Sequence, residues 1–133
     1  MPTPFCGQYM RRNRMWLTGS GTSVAEFALI YITTETQEQA LEIARTLVAE
    51  RLVACANVVP QIFSFYWWEG RLCEEREALI VAKTTADKCQ RVVARVRELH
   101  TYQVPAVLCL PVTGGNPDFL EWVRAETRTG GGP

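Results

Sequence analysis

The sequence has one histidine, His100, among 133 residues. Ser-His-Asp chemistry would have to use it, yet Ser20, Ser23 and Ser64 stand in no nucleophile-elbow motif. A mononuclear metal site within one chain normally draws on several His or Cys ligands. One histidine and scattered thiols support such a site thinly, although copper accepts softer mixed sets. The cysteines are Cys6, Cys55, Cys73, Cys89 and Cys109, an odd number with no Cys-x-x-Cys pair. That spacing excludes a zinc knuckle and a thioredoxin-type motif. Gly-x-Gly-x-x-Gly, the P-loop and His-Glu-x-x-His are missing too. No apolar run approaches the roughly 18 residues of a membrane span. Net charge is zero, so nothing advertises nucleic acid. Arg11, Arg12 and Arg14 lie in an acid-free leader, which leaves the remainder mildly acidic.

What is present in quantity is strand. The stretch Arg51 to Lys83 reads as two long arms folded back at Glu69-Gly70. An uninterrupted two-residue turn there puts Glu77 opposite Ile62. The first arm, Val53 to Trp68, would extend about 50 Å at about 3.3 Å per residue. The helix before it, expected over Gln37 to Leu52, would be only about 24 Å long. One helix cannot cover such a hairpin. Its outer half, Ile62 to Trp68, is largely apolar on both faces, and a large exposed apolar patch marks an interface. A second subunit is therefore expected to cover it. The competing reading has Pro60 breaking the arm into two ordinary core strands.

Taken in order, residues 1–24 read as a disordered leader, a targeting segment or an expression remnant. Glu26 to Thr33 is a strand apolar on both faces. Thr36 to Gln39 is a capping box opening the first helix, with the stripe Ala40, Ile43, Ala44, Leu47, Val48 and Leu52. After the hairpin, Thr84 or Thr85 is expected to cap a second helix. Its stripe is Cys89, Val92, Val93, Val96 and Leu99, and Lys88, Arg91, Arg95 and Arg97 form a solvated face. Val104 to Val112 is a fourth strand, which Pro105 and Pro111 push toward an edge. Asn116 and Pro117 open a short terminal helix. Residues 127–133 are expected to be a flexible tail. Cys55, Cys89 and Cys109 fall in apolar patterns and read as small buried hydrophobes, which suits a reducing, cytoplasmic setting. The alternative location is an organelle, if residues 1–24 are a transit peptide. The resulting class is α+β: a ferredoxin-like βαββαβ antiparallel sheet spanning residues 25–126. One face of that sheet lacks helices, so it too asks for a partner.

Three polar residues interrupt apolar context: Glu77, Lys83 and Tyr102. They suggest a pocket. The alternative leaves Glu77 in a solvated run, Glu74 to Glu77, and Lys83 as a strand end.

The segments TTETQEQALEIARTLVAERLVACANVVP, FYWWEG, ALIVAKTT, LHTYQVP and LPVTGGNPDFLEWV, in this order and spacing, resemble the CutA divalent-cation tolerance family. The likeness runs from about Ala28 to Trp122. It implies a ferredoxin-like homotrimer, associated with the response to metal ions and lacking enzymatic activity. It also implies an interface pocket at Trp68, Glu77, Lys83, Tyr102 and Pro105, open to a small molecule or a metal. His100 is the metal-ligand candidate, for Cu(II) or another divalent cation, with no cofactor required. A copper-binding relative's first-strand cysteine and second histidine are replaced here by Ile32 and Leu99. Gln103 and Ala106 stand where many members carry acids. Copper affinity is therefore expected to be weak or absent. Two other readings are a PII-like trimeric effector-binding module and an enzyme acting through Glu77, Lys83 and Tyr102.

Overall fold

The computed structural model describes residues 25–128. Among the described residues, four strands form one antiparallel sheet: β1 (Phe27–Thr34), β2 (Cys55–Trp68), β3 (Arg71–Thr85) and β4 (Val107–Val112). Their order across the sheet is β2-β3-β1-β4, so β1 pairs with both β3 and β4. This is the expected ferredoxin-like arrangement, with β2 and β4 at the edges. Three α-helices among the described residues accompany it: α1 (Gln37–Ala49), α2 (Cys89–Leu99) and α3 (Pro117–Glu126).

Strand alternation decides the core. On β1, Ala28, Ile30 and Ile32 point to the helix side, and on β3 so do Ala78, Ile80 and Ala82. The stripe Ala40, Ile43, Ala44 and Leu47 of α1 meets them, with Cys89, Val92 and Val96 of α2. The opposite face carries Leu29, Tyr31, Leu79 and Val81, with Leu108 and Leu110 exposed on β4. α3 covers only one end of that face, where Val123 and Leu120 pack with Phe27, Ala54 and Val112.

Several boundaries differ from the sequence expectation. α1 stops at Ala49 rather than Leu52 because Arg51 turns left-handed, at φ 61°, and the amides of Leu52 and Val53 both bond back to the Leu47 carbonyl. The Thr36 cap is made as expected, its hydroxyl accepting from the Gln39 amide at 3.1 Å. Neither Thr84 nor Thr85 caps α2. The Thr84 hydroxyl donates to the Leu52 carbonyl at 2.7 Å, and Thr85 makes no side-chain cap bond. A single 3-10 turn, Ala86–Lys88, leads into α2 instead. It buries Lys88, which the charge pattern assigned to solvent. β4 starts at Val107 because residues 101–104 form bends and Pro105 is buried ahead of the strand. Cys89 is buried as expected, whereas Cys55 and Cys109 are half-buried. Thr127, placed by the sequence in the tail, is buried, and its hydroxyl donates to the Val123 carbonyl at 2.9 Å.

The hairpin turns where the sequence put it. Glu69 and Gly70 both have positive φ, 50° and 79°, as a tight two-residue turn requires. Trp68 pairs with Arg71 and Ile62 with Glu77. Pro60 does not break the arm. It sits in a bulge, where Pro60 and Gln61 together oppose Ala78. β1 ends at Thr34 opposite Ala78, so from Glu77 outward the sheet is a two-stranded ribbon.

Candidate functional site

The expected pocket residues lie along the hairpin and the loop after α2. In the loop that follows Leu99 two side chains turn inward, His100 fastened to the end of β1 and Tyr102 to Glu77 of β3. His100 is 8% exposed, and its Nε2 lies 2.7 Å from the Thr33 carbonyl. Its Nδ1 accepts the Tyr102 backbone N–H at 3.0 Å. An acceptor Nδ1 leaves the ring proton on Nε2, which therefore donates to Thr33. Burial pulls the ring's pKa below the ordinary value, against the opposing pull of the Thr33 carbonyl and of the Glu77 and Glu35 carboxylates.

The Tyr102 ring lies against the His100 ring, with centroids 4.7 Å apart. Its phenol donates to Glu77 Oε2 at 2.8 Å. Burial first, then the hydrogen bond to Glu77, pushes the phenol's pKa well up. Glu77 is 5% exposed while Glu74, Glu75 and Arg76 are exposed. It is therefore not the last member of a solvated run. A Thr101 hydroxyl bond to the Gln39 carboxamide, 3.1 Å, ties the same loop to the first turn of α1. The Thr33 and Gln39 anchors were not legible in the sequence, because one is a backbone carbonyl and the other reads as part of a capping box rather than as a partner for Thr101.

The structure thus brings Glu77, Tyr102 and His100 together. It separates Lys83 and Trp68 from them. Lys83 is six residues along β3 from Glu77, about 20 Å at 3.3 Å per residue. Its ammonium bonds the Asn57 carboxamide, and its strand partners are Cys55 and Leu29. Trp68 is as far in the other direction, next to the turn and paired with Arg71. Pro105 is buried, three residues beyond Tyr102.

As a metal site the cluster is poorly furnished. Both nitrogens of His100 are engaged, so a metal would have to displace the Thr33 or the Tyr102 bond. Ile32 is fully buried in the core. Among the described residues no group of three or more His, Cys, Asp or Glu side chains is placed to hold an ion. The donor set within one chain does not fit a resident metal.

The other prominent surface is the ribbon. β3's helix-side face continues through Arg76, Glu74 and Leu72 to their partners Phe63, Phe65 and Trp67. Phe65 is 64% exposed, Trp67 72% and Leu72 59%. The Arg76 guanidinium sits 5.9 Å over the Phe63 ring, which is itself exposed.

The sequence profile described as CutA1 divalent ion tolerance protein matches residues 28–126. The divalent-cation tolerance protein CutA of Thermus thermophilus is 41% identical over 99 residues, covering 74% of this chain and 96% of that protein. Protein CutA 1, chloroplastic, of Oryza sativa is 38% identical over 100 residues, 75% of this chain and 56% of the rice protein. The crystal structure of CutA1 from Oryza sativa superposes with a TM-score of 0.76 at 36% identity, over 79% of this chain and 96% of that one. The Thermus thermophilus structure gives 0.75 at 40% identity, over 77% and 99%. Among the described residues no helix is long and apolar enough to cross a membrane. With the family profile, the sequence identity and the superposition in agreement, the chain belongs to the CutA1 divalent ion tolerance protein family.

Proposed function

We propose that this chain works as a non-enzymatic homotrimer in divalent-cation tolerance, with weak or absent intrinsic copper affinity. The observation that carries the assembly is the outer hairpin. A two-stranded ribbon is marginal in water by itself, and this one presents Phe63, Phe65, Trp67 and Leu72 to solvent. The sheet face opposite α1 and α2, which α3 covers at one end only, adds Leu108 and Leu110. The number three rests on the family resemblance, and the exposed ribbon supports the need for partners.

Assembly would also resolve the separation of the pocket residues. Glu77 and Tyr102 of one copy would meet Lys83 or Trp68 of another, which a single chain keeps about 20 Å away along the hairpin. A small acid or a metal ion would then bind between subunits, beside Pro105. The low copper affinity follows from the replaced positions Ile32 and Leu99 and from the engaged ring of His100. Relatives from rice and Arabidopsis thaliana are named chloroplastic, which supports an organelle as the alternative to the cytoplasm. Residues 1–24, on which that alternative turns, lie outside the described residues.

Two measurements test the proposal. Native mass spectrometry should give three times the 15.0 kDa chain mass. A stable monomer at low concentration would overturn the assembly. Calorimetry with Cu(II) should give weak or no heat, the same for wild type and His100→Ala. A tight site lost in His100→Ala would restore His100 as a ligand.

A further inference from the structure

Among the described residues Glu77 is the one carboxylate that is buried, at 5% exposed. Its Oε2 accepts from the Tyr102 phenol at 2.8 Å. Among the same residues no donor reaches Oε1, and no cation pairs with either oxygen. No sealed side-chain nitrogen or oxygen there is without a partner, so Oε1 opens to the surface. A buried carboxylate is costly unless a positive group compensates it, and one neutral phenol compensates little.

The nearby cations of the chain are committed elsewhere. The Lys83 ammonium is held by the Asn57 carboxamide, about 20 Å along β3. Arg76 adjoins Glu77 in sequence but alternates to the opposite face, over the Phe63 ring. His100 is neutral, with both ring nitrogens engaged.

We propose that Glu77 and Tyr102 bind a small organic amine, a primary ammonium on a short apolar chain. A small acid in the pocket proposed above would answer to Lys83; Glu77 answers to the opposite charge, and this amine site rests on the same reading of Glu77 and Tyr102 as pocket residues. A primary ammonium carries three N–H donors. One meets Oε1 in a charge-assisted bond. A second meets a lone pair of the Tyr102 phenol, whose own proton is spent on Oε2. The third is left to water. The walls suit an apolar tail. Ile62 pairs with Glu77 across the hairpin, Leu79 follows on the same face of β3, and both are half-buried. A divalent ion is served worse, because it needs at least about four ligands. No group of three or more His, Cys, Asp or Glu side chains gathers among the described residues.

The test titrates the full chain by calorimetry, at neutral pH and constant ionic strength, with n-butylammonium and with butyltrimethylammonium. The second probe keeps the tail and the charge but has no N–H. Butylammonium should bind, and butyltrimethylammonium should bind about tenfold more weakly, the worth of one charge-assisted hydrogen bond. Glu77→Gln keeps an acceptor for the phenol and removes the charge, and it should weaken butylammonium by a similar factor. The comparison of probes on wild type stands even if that variant fails to fold. Butylammonium that gives no heat, binds no better than its trimethyl analogue, or is indifferent to Glu77→Gln would overturn the proposal. Binding seen only in Lys83→Ala would mean that a neighbouring copy's ammonium already fills the place, and would overturn it too. Native mass measured on the same samples keeps assembly apart from the amine site. A trimer that ignores butylammonium removes the site alone, and a monomer that binds it removes the trimer alone.

Discussion

His100 shows how one residue can be held by geometry rather than by charge. With the ring neutral, Nε2–H meets a carbonyl and Nδ1 meets an N–H. A second proton, on Nδ1, would face the Tyr102 N–H donor directly. Glu77 and Glu35 are the carboxylates that favour the cation, the Tyr102 ring lies tilted against the imidazole, and burial outweighs the carboxylates. The folded-state pKa therefore lies below the ordinary 6.5, and as pH falls the unfolded chain takes the proton first. The stability that His100 contributes is complete above that ordinary value and is lost as pH falls from it toward the lower folded value. Thermal midpoints measured from about pH 7 to about pH 5 should fall for wild type and fall less for His100→Gln. Equal slopes would mean that another group governs this range.

At the scale of elements, the hairpin turn carries a local conflict. Glu69 adopts a left-handed backbone, which costs a residue with a Cβ about 1–2 kcal/mol and is tolerated better by Asn. Glu69→Asn should therefore stabilise the fold by about 1 kcal/mol or less, read as a rise in the midpoint of urea unfolding. A loss of stability would mean that the glutamate makes a compensating contact. The turn was legible because Gly70 sits between two strand-rich runs, and the Ile62–Glu77 register followed from it. Helix starts were legible where a side chain does the capping, as at Thr36 and Asn116. They were not where the backbone takes another route. Thr84 looks like a cap, but its hydroxyl is used to fasten the Leu52 carbonyl across the sheet edge. The Glu77–Tyr102 bond was half legible: both residues interrupt apolar context, yet only the folded loop brings the phenol to the carboxylate. Lys83 shares that sequence signature, and Trp68 entered through the resemblance, yet neither shares the place, since position along an extended strand translates directly into distance.

For the whole molecule, the question is what shelters the ribbon. An aromatic at the centre of a covered face would be buried on assembly, so a charge placed there should be costly. Trp67→Glu should shift the particle toward smaller species by sedimentation and make its thermal midpoint depend on concentration. An unchanged oligomer would remove Trp67 from any interface. α3 is fastened at the other end of the sheet and should not respond. Arg51 reaches the Glu126 carboxylate and carbonyl at 3.0 and 3.1 Å, and Arg124 reaches Glu26 at 3.2 Å and lies over the Phe27 ring.

The bulge at Pro60 and Gln61 has an effect out of proportion to its size. Before it, the even-numbered residues of β2, Ala56 and Val58, look toward the helices; after it, the odd-numbered ones do. The extra residue thus swaps parity, and it is this swap that turns Phe63, Phe65 and Trp67, instead of Ile62, Ser64, Tyr66 and Trp68, to the helix side. Were the pairing to run on evenly past Val59, with no extra residue opposite Ala78, Ile62 rather than Phe63 would meet Arg76, and the ribbon would offer its neighbours its reverse side.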